Sequence, residues 1–144
     1  MPGNAEIVRE ACQVVWTEGR ADRVADYYAE DFKADYPMTN WGVGLDGVRQ
    51  LVHDVRVGLP DYGEEIKLLI DGGEYIVVEL EIFGTHTGDL PGIPATGKRV
   101  SFRDVTILKL RDRKIVEQRG LTDHLSLFQQ LGVTTLPPAP DVLA

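Results

Sequence analysis

Hydrophobic and polar positions divide this chain into a helical first part and a strand-rich second part. Residues 5–18 (AEIVREACQVVWTE) set Ile7, Val8, Ala11, Cys12 and Val15 at helical spacing, with Asn4 as N-cap and Gly19 as stop. Residues 21–29 (ADRVADYYA) predict a second short helix with Val24 and Tyr28 facing in. Residues 32–38 (FKADYPM) alternate Phe32, Ala34 and Tyr36, which predicts a strand ending at an edge at Pro37. Residues 45–59 repeat Leu45, Val48, Leu51, Val52 and Val55, a third amphipathic helix. From Tyr62 the period changes to two. Ile66, Leu68 and Ile70 share one face of the first strand, and Ile76, Val78, Leu80, Ile82 and His86 one face of the second. A short helix over 124–132 closes the pattern. Helices first and sheet after make an α+β fold, a single domain over 1–136 with a Pro-rich tail at 137–144. A curved, mostly antiparallel sheet wrapped around the N-terminal helices forms a cone with a cavity at one end.

The stretch 83–123 carries the functional signal. Its even-numbered positions make one face: Gly84 and His86; Phe102, Asp104, Thr106, Leu108 and Leu110; Val116, Gln118, Gly120 and Thr122. That face is apolar at one end and polar at the other, as a pocket wall would be. The opposite face mixes Val77, Phe83, Val105 and Ile107 with charges, which predicts a homodimer built on it.

Composition narrows the chemistry. The chain has 144 residues, 43% hydrophobic and 26% charged, as a globular domain should. Its net charge of −8 argues against sequence-independent nucleic-acid binding. No apolar run is long enough to span a bilayer, and the N-terminus lacks a signal-peptide pattern. The single cysteine, Cys12, is expected to be a buried structural thiol, and the location is expected to be cytoplasmic. There is no GxGxxG, Walker, CxxC, HExxH or GxSxG motif, and the three histidines fall on different elements. No metal and no organic cofactor is therefore expected. What remains is cofactor-free proton transfer.

The run GTHTGDLPGIPATGKRVSFRDVTILKLRDRKIVEQRG, closed by LSLFQQLG, resembles the SnoaL-like polyketide cyclases of the NTF2-like superfamily. The resemblance extends over nearly the whole chain and implies the cone-shaped α+β barrel of that superfamily. It also implies a cofactor-independent enzyme, a polyketide or ester cyclase, isomerase or lyase of secondary metabolism. Relatives close a ring by an intramolecular aldol reaction, with an aspartate on the last strand as acid/base. That position here is Gly120, and a glutamine and a histidine of their preceding strand fall on Asp104 and Thr106.

Asp104 is accordingly the candidate proton-transfer group, with His86 as its catalytic partner. Tyr36, Thr106, Gln118, Thr122, Phe102, Trp41 and Trp16 are the candidate substrate-binding residues. Each has an ordinary alternative: an ion-paired aspartate, a strand-end histidine on a backbone carbonyl, core aromatics. Asp123 reads as a helix N-cap. The expected partner is a hydrophobic, oxygenated, polyketide-like small molecule. Two other functions stay open: a non-catalytic binding or accessory protein of the same shape, and an epoxide hydrolase-type enzyme.

Overall fold

The computed structural model describes residues 2–36 and 44–135. Helix α1 (Asn4–Ala11) runs on into a wider π-helical turn, Cys12–Thr17. Gly19, at φ +70°, stops it. Gly3 rather than Asn4 is the N-cap; Asn4 is the first helical residue, and its side-chain amide donates to the Gly73 carbonyl at 2.9 Å. A 3₁₀ turn (Ala21–Arg23) leads into α2 (Val24–Tyr27) and then directly into β1 (Tyr28–Asp35). The helix expected to reach residue 29 therefore ends at Tyr27. Tyr28 pairs with Ile115 across the sheet, and that tertiary pairing overrides the local helical pattern. Helix α3 is Gly44–Gly58, followed by β2 (Gly63–Gly72), β3 (Tyr75–Thr85), β4 (Arg99–Arg111), β5 (Lys114–Thr122) and α4 (His124–Leu131).

The strands form one curved, unclosed sheet in the order β1-β5-β4-β3-β2. Only the β1–β5 pair is parallel. Two-residue turns join β2 to β3 and β4 to β5. In the second of these Asp112 and Arg113 both take positive φ, the twist that two-residue hairpins require.

Even-numbered residues of β3 and β4 all point inward. Ile76, Val78, Leu80, Ile82, Val100, Phe102, Leu108 and Leu110 pack with Val8, Val15, Val24, Val48 and Val52 from the helices. Two bulges break the expected alternation elsewhere. In β2 the register shifts between Ile66 and Leu68, so Leu69 packs against the core while Leu68 and Ile70 lie more than half exposed. In β5 the register shifts so that Leu110 faces Ile115 and Lys109 faces Glu117. Ile115, not Val116, joins the core cluster there. No helix among the described residues is long and apolar enough to cross a membrane.

Candidate active site

The inner face of the sheet, α1, α3 and α4 enclose a cavity of about 410 Å³. The cavity is lined mainly by apolar side chains, into which a few polar groups project. Among the described residues no lysine or arginine lines it.

Asp104 stands on the wall formed by β4, between Phe102 and Thr106, and is only 8% exposed. It lies opposite Thr122 of β5 in the antiparallel register, and the Thr122 hydroxyl donates to its Oδ1 at 2.6 Å. Burial raises the Asp104 carboxyl above its ordinary range; the Thr122 hydrogen bond and the nearby His124 oppose that rise. His124 opens α4, directly after Asp123. The Asp123 carboxylate accepts from the Ser126 amide at 2.9 Å and so caps that helix. Burial lowers the His124 imidazole below its ordinary value, with Asp104 pulling the other way, so at neutral pH it is held toward its neutral form.

A second carboxyl faces the same cavity. Glu64 lies near the start of β2, before the bulge, where the parity still turns even-numbered residues inward. The Tyr62 hydroxyl donates to its Oε1 at 2.6 Å. Burial, reinforced by the charge of Asp104, raises the Glu64 carboxyl to about 8 despite the opposing Tyr62 and Cys12 contacts. Cys12 itself is buried, and its thiol is pushed well above the usual range.

The other sequence candidates divide. Tyr36, Thr106, Gln118, Thr122, Phe102 and Trp16 all line the cavity. Thr106 donates to the Arg119 carbonyl at 3.2 Å, and the Trp16 indole donates to the Tyr28 hydroxyl at 2.9 Å. The Gln118 Oε1 is buried with no hydrogen-bond partner among the described residues. Trp41 lies outside the described residues.

His86 is not in the cavity wall. The strand ends at Thr85, and the fully buried imidazole turns into the 86–98 loop instead. Its Nδ1 accepts from the Thr96 amide at 3.3 Å and lies 2.9 Å from the Thr96 hydroxyl. Its backbone carbonyl also accepts from the Thr96 and Gly97 amides. The alternation that puts His86 on the inner face stops one residue short of it, because β3 ends at Thr85.

Gly120 has a steric reason. A Cβ there would lie 2.8 and 2.9 Å from two ring carbons of Tyr36, so the space a side chain would need is filled by that ring. Tyr28, Asp54, Tyr62, Glu64 and His124 also line the cavity and are not among the site candidates the sequence pattern singles out. For Glu64 the available signal was its even position on the same strand face as Ile66. Among the described residues no cluster of three His, Cys, Asp or Glu side chains could hold a metal ion.

Comparison with known proteins gives a consistent picture. The sequence model of the SnoaL-like polyketide cyclases matches residues 6–131. The chain is 30% identical over 129 residues to the nogalonic acid methyl ester cyclase of Streptomyces nogalater, covering 85% of this chain and 90% of that one. It is 36% identical over 62 residues to the aklanonic acid methyl ester cyclase DnrD of Streptomyces peucetius; that match spans 43% of each chain, less than half of the relative's length. TsrD from Streptomyces laurentii superposes with a TM-score of 0.82 at 22% identity, over 90% of this chain and 96% of its own. A SnoaL-like polyketide cyclase from Agrobacterium tumefaciens superposes with a TM-score of 0.77 at 18% identity, over 92% and 100%.

Proposed function

Because the chain belongs to the SnoaL-like polyketide cyclase family, we propose that it closes a ring in a hydrophobic, oxygenated, polyketide-like substrate by cofactor-independent acid–base chemistry. The observation that carries this reading is Asp104, a carboxyl group buried in an apolar cavity with one oxygen fixed by Thr122. Burial makes its carboxylate a stronger base than one in water, which suits removal of a proton alpha to a carbonyl. The fixed oxygen leaves Oδ2 to take that proton. The electron pair released passes through the enolate into the new carbon–carbon bond. The amide of Gln118, with Thr106 and Tyr36 beside it in the cavity wall, is the polar lining that would orient the substrate's oxygens.

The substrates named for the relatives are the test compounds. Purified protein with aklanonic acid methyl ester or nogalonic acid methyl ester, in excess chelator, is expected to give a product of unchanged mass with one more ring. An aldol closure adds and removes no atoms. Tight binding of either ester with no product would favour the carrier reading. Loss of turnover on chelation, restored by one metal, would overturn the cofactor-free mechanism.

We also propose that the chain is a homodimer. The outer sheet face presents Val105, Ile107 and Leu121, and Leu121 alone is 66% exposed. Light scattering at micromolar concentration should give about twice the 16.0 kDa chain mass; the single-chain mass would refute the dimer.

A further inference from the structure

We propose that Glu64 is a second catalytic group of this cavity, whose neutral carboxyl, held at Oε1 by Tyr62, donates its proton from Oε2 to the substrate carbonyl at which the new bond forms. The inference rests on the ring-closing function proposed above.

The geometry supports a donor rather than a second base. The Tyr62 hydroxyl donates to Oε1, so in the neutral acid Oε1 is the carbonyl oxygen and Oε2 carries the proton. Oε2 is buried and takes no hydrogen bond of ordinary length among the described residues, the Cys12 thiol being the one neighbour that bears on this carboxyl besides Tyr62 and Asp104. Buried polar atoms are nearly always paired, so an unpaired one in a cavity wall calls for a role. The residue is also clamped. Its backbone N–H donates to the Thr17 hydroxyl at 3.1 Å, and that hydroxyl lies 3.5 Å from its carbonyl.

Register sets the two carboxyls apart on one face. Glu64 pairs with Ile82, and Ile82 with Phe102; Asp104 is the next inward residue along β4. They therefore stand two strands apart, roughly 10 Å in the pairing direction. The two reacting carbons must meet as the bond forms, so Asp104 and Glu64 have to reach inward from β4 and β2 toward one point of the cavity they both line. The ionisation behaviour agrees. Glu64 is raised to about 8 mainly by burial and stays largely protonated at neutral pH, whereas the Asp104 rise is partly offset by Thr122 and His124.

The step balances. Asp104 takes the α-proton, and the pair left behind bonds the α-carbon to the acceptor carbonyl carbon. The carbonyl π pair moves onto its oxygen, which takes the Glu64 proton and becomes the product hydroxyl. Glu64 is left as carboxylate and Asp104 as acid. Transfer of one proton from Asp104 to Glu64 through water, as product leaves, restores both.

Two variants and two readouts test this. With aklanonic acid methyl ester as probe, wild-type turnover should fall as pH rises through about 8, where Glu64 ionises. Glu64→Gln should lower turnover about 10²- to 10⁴-fold and remove that limb. Tyr62→Phe deletes a hydrogen bond that favours the ionised carboxylate, so the limb should move to higher pH. A Glu64 with a merely structural role would leave the limb where it was in both variants. Independently of turnover, infrared difference spectra of the free protein should show a protonated carboxyl that titrates near pH 8 and is absent in Glu64→Gln. A wild-type rate in Glu64→Gln, an unmoved limb in Tyr62→Phe, or no such carboxyl would each overturn the proposal. If Asp104→Asn keeps full activity while Glu64→Gln is dead, the assigned base fails and the donor stands.

Discussion

Asp104→Asn is expected to slow turnover by about 10²- to 10⁴-fold while the protein stays folded and still binds its ligand. That loss corresponds to roughly 3–5 kcal/mol in the barrier. Asparagine keeps the size and an oxygen that can accept from Thr122, the contact that aspartate makes at 2.6 Å. What disappears is the group that takes the proton. Stability should not fall, because a buried carboxylate that resists ionisation is replaced by a neutral amide. The sign follows from the raised carboxyl. The folded protein holds that proton more tightly than the unfolded chain, so stability is fully present at low pH and declines as pH rises through the folded-state value. Asp104→Asn should flatten part of that decline. Asp123→Asn is the control one residue beyond β5, since an asparagine can still accept from the Ser126 amide. A wild-type rate in Asp104→Asn would remove this residue from the chemistry.

Gly88→Ala should cost about 3 kcal/mol or more in stability. A Cβ at Gly88 would lie 1.8 Å from the Val57 carbonyl oxygen and 2.9 Å from its carbon. These are backbone atoms near the end of α3, so no side-chain rotation relieves the clash. The Gly88 amide also donates to the Gly58 carbonyl at 3.2 Å. Together these contacts seat the 86–98 loop on α3. The same loop carries Leu90, Pro91 and Ile93 into the cavity wall. The expected fall in Tm is roughly 6–12 °C for a chain of this size. A shift within a degree of wild type would show that the close approach is not as described.

The glycine of the THTG run was visible in the sequence, but its reason was not. Nothing in the local pattern says that α3 passes against it. Asp104 was legible because β4 alternates without interruption from Val100 to Leu110, so parity alone gives its side. Glu64 was not. It follows Gly63 and precedes Glu65 and Lys67, a polar-looking stretch, so its even position beside Ile66, ahead of the bulge, was easily passed over. His86 shows the opposite failure: parity carried one residue past the end of its strand. Tyr28 was hidden in a helical pattern that loses to pairing with β5. The α+β order and the sheet, by contrast, follow from alternation over long strands, where one bulge shifts a few residues and leaves the element intact.

Proton removal at Asp104 can be measured without waiting for ring closure. The ester probe, incubated in deuterated water with wild-type protein and chelator, should take up deuterium at the carbon alpha to its reacting carbonyl. The rate should stand well above a protein-free control, and Asp104→Asn should return it to that control. Exchange at the same rate in the variant, or none in the wild type, would contradict the assignment of this cavity to acid–base chemistry at Asp104.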